Sequence, residues 1–164
     1  MKIQDIREMY AYNRWANRQI LARAAQVSSE ALMQPRAYSW GGLHSTLVHL
    51  LDAEVGWRLL LQSGVMDFDV NAGDVPDLPS IVVRWDAEDQ AMTAYLDSLT
   101  DANMTDIVRY EVEEGWRERV LWHCLWHVVN HGMQHRSECA VMLTDLGQSP
   151  GNLDVTTYLN TLIS

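Results

Sequence analysis

The chain has 164 residues, 48% of them apolar and 21% charged, which suits one domain with a core large enough to stand without disulfide or metal staples. Its net charge of −10 repels phosphate backbones, and no run of Lys or Arg offsets that, so nucleic acid is excluded as a general partner. No apolar run approaches ~20 residues, so no membrane span is expected, and the charged, aromatic start lacks a signal-peptide core.

Residues 3–26 read as the first helix, because Ile6, Met9, Tyr10, Trp15, Ile20 and Leu21 return near the helical period. A short turn over Ser29–Met33 follows and Pro35 stops it. Gly41 and Gly42 open a second long helix over Leu43–Gln62, with Leu47, Leu50, Leu51, Val55 and Leu59 as its stripe, and Ser63-Gly64 close it. Residues 65–79 form a loop long enough to suggest function or mobility. Ser80 is the expected N-cap of a third helix, Ile81 to about Leu99. In residues 106–120, Val108, Tyr110 and Val112 alternate with Arg109 and Glu111, and Glu114-Gly115 offer a turn, so a short hairpin is expected. The last long helix runs from residues 117–120 to Leu146, where Gly147 ends it, and one short helix closes the chain. The expected class is all-α: a four-helix bundle with longer crossover connections and a short hairpin before the last long helix, one domain over residues 1–164.

Seven Trp stand against one Phe, and the helical spacing of Trp122 and Trp126 predicts that most indoles enter the core. Cys124 and Cys139 share one predicted helix, ~22 Å apart at ~1.5 Å per residue, so they cannot bridge. Free thiols suit a reducing compartment, and the cytoplasm is the expected location.

Chemistry concentrates in the histidines. Of six, four are spaced by four: His123, His127, His131 and His135. Each advances ~40° around a helix and one turn along it, so neighbours can share a metal ion while all four cannot. The sequence therefore nominates a pair (His123/His127, His127/His131 or His131/His135). A catalytic site also needs a third ligand, which has to come from another helix, as His44 or His49. His49 sits among leucines, where an unpaired imidazole would be costly to bury. Neither cysteine-type zinc spacing nor HExxH is present, since His127-Val128-Val129-Asn130-His131 lacks the Glu.

The segment LWHVVNHGMQHRSECAVMLTDLGQSPGNLDVTTYL resembles the C-terminal signature of the DinB/YfiT-like superfamily of metalloenzymes, a group unrelated to the polymerase of that name. MYAYNRWANRQIL and WGGLHSTLVHLLDAEVGWRLLL resemble its first and second helices, so the likeness covers most of the chain. Ser137 and Glu138 depart from the usual Gly and Gln. The resemblance implies a metal triad of His49, His131 and His135, with His127 in support or packing and His44 and His123 exposed or structural. Glu138 becomes a candidate to accept a proton from bound water or steady a ligand, and Asp52 a candidate to orient His49. Such a site suits Zn, Ni, Fe, Co or Mn.

Related proteins in that superfamily use bacillithiol or mycothiol, so the resemblance implies transfer of a low-molecular-weight thiol to an electrophilic small molecule. The other readings are a metal-dependent hydrolase and a non-catalytic, dimeric metal-binding protein of stress-response type. A homodimer is expected from the same likeness. Arg136 and Arg58 are candidates for holding an anionic group, against a reading as surface salt bridges.

Overall fold

The computed structural model describes residues 1–65 and 70–163. Among them the chain is mostly helical: α1 (Ile3–Ala24), α2 (Ser29–Met33), α3 (Leu43–Ser63), α4 (Leu78–Asp97), α5 (Leu121–Asp145) and α6 (Val155–Thr161). Two short strands, β1 (Ile107–Val112) and β2 (Gly115–Val120), pair antiparallel, so the all-α expectation gives way to a helical protein with a small sheet. The long helices pack as α1 on α4 and α5, and α3 on the same two.

Helix boundaries follow local chemistry. α4 starts three residues before the expected Ile81, because Asp77 rather than Ser80 caps it. The Asp77 carboxylate accepts from the Ser80 amide at 2.9 Å, and Ser80 Oγ lies 3.2 Å from the Asp77 amide, a reciprocal capping box. α5 starts at Leu121 because residues 115–120 pair with β1 instead of coiling. The hairpin turn lies at Glu113-Glu114, and Gly115 takes the left-handed backbone, φ 105°. α3 ends where Gly64, φ 77°, turns left-handed and returns its N–H to Leu60. The expected loop at 65–79 falls partly on residues 66–69, which lie outside the described residues; the stretch 71–76 is non-helical.

The core has two apolar halves. One gathers Ile20, Leu47, Leu51, Ile81, Trp85 and Met142; the other gathers Ile6, Tyr10, Met92, Leu96, Leu125 and Val128. Each of the four long helices passes through both halves and places a buried polar side chain between them: Asn13 and Asn17 on α1, Glu54 on α3, Glu88 on α4 and Arg136 on α5. Glu54 accepts from Asn13 (2.8 Å), Asn17 (3.0 Å) and the Trp85 indole (2.9 Å). Arg136 Nη1 donates to the carbonyl oxygens of the same two asparagines, at 2.6 and 2.9 Å. The amides thus relay a buried guanidinium to a buried carboxylate, satisfying groups that would otherwise be costly to desolvate.

The indoles do not follow the prediction. Only Trp85 is fully buried; Trp15, Trp57 and Trp122 are half-buried, and Trp40, Trp116 and Trp126 are exposed. On α5 the core stripe is Leu121, Cys124, Leu125, Val128 and Val129, which leaves Trp122 and Trp126 on an adjoining face. Cys124 and Cys139 are buried and unbridged.

Candidate metal centre

α3 and α5 lie side by side, and His49 on the first meets His131 and His135 on the second. Each imidazole offers one nitrogen, and these nitrogens lie within 4.8 Å of one another. His49 Nε2 stands 3.2 Å from His131 Nε2. The rings meet edge to face, with centroids 4.6 to 5.0 Å apart. A tetrahedral ion with bonds of ~2.1 Å separates its nitrogens by ~3.4 Å, so the donor set fits a divalent ion with small closure of the side chains.

Protonation favours the same use. Burial, then the neighbouring His135 and His131, pulls His49 down to about 4. Burial, with His135 and His127 beside it, brings His131 to about 4 as well. Both are therefore neutral at pH 7, the form that offers a lone pair.

Glu138, one turn after His135, points back at it. Its Oε2 lies 2.9 Å from His135 Nδ1, and its Oε1 accepts from Ser39 Oγ at 2.9 Å. Burial pushes the Glu138 carboxyl up, but the hydrogen bonds from His135 and Ser39 outweigh that and hold it below its ordinary range. A carboxylate at Nδ1 keeps the proton there and leaves Nε2 as the free donor.

The connection between α2 and α3 forms a wall of the site. Arg36 N–H bonds to the Gly41 carbonyl and Gly41 N–H to Tyr38, while Pro35 bridges Gly42. Gly42 has no space for a Cβ, which would meet the Gln34 carbonyl at 2.8 Å. This tight loop delivers Ser39 to Glu138 and lays the Trp40 ring on His49, 3.7 Å away and 13° from parallel. Sequence reasoning missed both residues. The only cue was their place next to the glycine pair.

The remaining candidates separate. His44 is buried rather than solvent-reaching, its Nε2 2.8 Å from the Val75 carbonyl, a structural tie between α3 and the following loop. Asp52 accepts from the Val70 amide at 3.0 Å and so holds the same loop. His123 is exposed against Trp122. His127 lies between Trp57 and His131, with ring centroids 4.9 and 5.7 Å away. Neither arginine makes a surface salt bridge: Arg136 is buried in the amide relay, and Arg58 forks both oxygens of buried Glu88 at 2.6 and 2.7 Å.

The frame is mostly helical, with a cluster of three histidines between two of its long helices that could hold a divalent ion. The DinB family profile matches residues 1–162, and the chain belongs to that family. It is 22% identical to Protein DinB of Bacillus subtilis (strain 168) over 162 residues, 93% of this chain and 92% of that one. A DinB-like protein from Bacillus cereus ATCC 10987, known from its crystal structure, has the same fold: TM-score 0.69 at 18% identity, covering 92% of this chain and 97% of that one.

Proposed function

We propose that this protein is a metal-dependent enzyme that transfers a low-molecular-weight thiol to an electrophilic small molecule. Its fold is read as a four-helix bundle forming one domain over residues 1–164, and its metal ligands as His49, His131 and His135. The observation that carries the reading is the convergence of three imidazole nitrogens within 4.8 Å, drawn from two helices. A divalent ion there, of the Zn, Ni, Fe, Co or Mn type, would lower the pKa of a bound thiol so that it reacts as thiolate.

The chain's own residues divide the remaining tasks. The three imidazoles bind, Glu138 fixes the His135 tautomer, and Ser39 fixes Glu138. Trp40 covers one face of His49 and keeps water from it. Both Glu138 oxygens already have partners, which favours a positioning role over deprotonation of water, and so favours thiol transfer over hydrolysis.

The two buried, unbridged thiols are consistent with a cytoplasmic protein, and no helix among the described residues is long and apolar enough to cross a membrane. A homodimer is supported by an apolar groove of about 690 Å³ that Trp126, Met133, Leu159 and Leu162 line between α1, α5 and α6.

Metal analysis of untagged protein tests the core of this reading. About one equivalent per chain is expected for a single site, lost in His49→Ala and in His131→Ala with the helical circular dichroism intact. Metal-loaded protein should then speed the reaction of a small thiol with 1-chloro-2,4-dinitrobenzene, a C–S bond forming as chloride leaves. Wild-type protein that takes up no Zn, Ni or Mn overturns the reading.

A further inference from the structure

A cavity of about 500 Å³ opens beside the histidine row, between α3, the hairpin and the start of α5. Its wall includes Trp57, Tyr110, Trp122, Trp126 and His127. Trp57 and Tyr110 meet edge to face at 5.8 Å, and Trp57 also packs on His127. His127 lies one turn, ~6 Å along the axis, before His131, so the cavity is lined to within one helical turn of the triad, none of whose histidines lines it. Cavities of this size with aromatic walls and few polar groups take organic small molecules, the polar groups fixing their orientation.

The charge of the wall narrows the class. The chain as a whole carries −10, yet among the described residues no Asp or Glu lines this cavity. Among the described residues its one charged side chain is Arg119 of β2. That guanidinium donates to the Glu118 carbonyl at 2.8 Å, and among the described residues no carboxylate pairs with it. Cys124 also lines the cavity, but burial pushes its thiol up to about 11, so it is no nucleophile there. From His123, which also lines the cavity, to His131 the helix rises ~12 Å.

We propose that this cavity is the substrate subsite and that it takes an organic anion with a flat, conjugated body. The anionic end sits on Arg119, the body lies among Trp57, Tyr110 and Trp122, and the far end points past His127 to His131. The last placement rests on the metal-centre reading above; the selectivity of the cavity does not.

Calorimetric titration with 2-naphthoate and its neutral analogue 2-naphthylmethanol, on metal-free and metal-loaded protein, tests this. Naphthoate should bind metal-free protein ~10-fold more tightly than the alcohol, the value of a charge-assisted hydrogen bond. Arg119→Gln, at an exposed strand position, should erase that preference and leave alcohol binding unchanged. Trp57→Ala should weaken both ligands by ~5- to 10-fold. Trp116→Ala, outside the cavity, should change neither. The proposal fails if wild type does not prefer naphthoate, or if the preference survives Arg119→Gln; that variant decides the matter should Trp57→Ala not fold. Naphthoate selectivity retained in a metal-free His131→Ala protein would uphold the subsite whatever the metal analysis gives. Bound metal without selectivity would sink the subsite and spare the metal centre.

Discussion

Glu138 illustrates how one side chain gains its role from a neighbour three residues away. Its carboxylate fixes the His135 proton at Nδ1, and a carboxamide in its place would accept more weakly. Glu138→Gln should lower metal affinity by ~10- to 100-fold, as loss of a partner behind a ligand usually does. Competition against a chromophoric chelator measures it, and an unchanged affinity would remove Glu138 from the site. Gly132 is constrained from the other side of the same helix. A Cβ there would meet Arg136 Nη1 at 2.6 Å and Asn13 Oδ1 at 3.1 Å. Arg136 is buried and held by two asparagines, so it has no room to yield. Gly132→Ala should cost about 1 to 3 kcal/mol by overpacking, read as a lower midpoint in urea.

At the scale of elements, α5 does most to organise the molecule. Its buried stripe joins both apolar halves, while its flank carries the histidines. Arg136 ties it to α1 and, through the asparagines, to Glu54 on α3. Arg136→Met leaves the Glu54 carboxylate without its relay to the Arg136 guanidinium and should destabilise by about 3 to 5 kcal/mol, the usual result of breaking a buried charged pair. Glu54→Gln in that background should recover part of the loss, and a strictly additive double variant would refute the coupling. α4 depends on a more local device. Asp77→Ala removes the capping carboxylate and should cost about 1 kcal/mol, visible in thermal melts.

At the scale of the whole molecule, the two apolar halves pack without help from the histidines, so chelation should leave the helical signal in place. Acid should not. In the metal-free protein His49 and His131 sit at about 4 against an ordinary 6.5, so between those values the unfolded chain binds more protons than the folded one. Stability then rises with pH across that window: it is fully present above 6.5 and is lost as pH falls towards 4. Melting temperatures in EDTA should drop over this range, and His49→Gln should flatten the slope. Sedimentation analysis addresses the groove between α1, α5 and α6, where a dimer is expected and a monomer at all concentrations would leave that face unclaimed.

The sequence by itself determined which segments coil, because apolar spacing and glycine stops are local signals: α3 and the end of α5 fall within a residue of their expected bounds. It also narrowed the helix-borne ligands to one of three adjacent histidine pairs, since i,i+4 geometry belongs to any helix, and the family resemblance pointed to His131 and His135 among them. The start of α4 was off because two residues, Asp77 and Ser80, both suit a cap, and only backbone geometry chose between them. Tertiary structure alone decided the rest. Which histidine of α3 meets the pair depends on how two helices are rotated against each other. That packing turned His49 to the pair and His44 to Val75. The same packing buried Arg136 and left Trp126 outside, because a helix has one core-facing stripe and a residue's side of it follows from its partners rather than its own polarity. Ser39 and Trp40 reached the site only through a loop whose path no periodicity encodes.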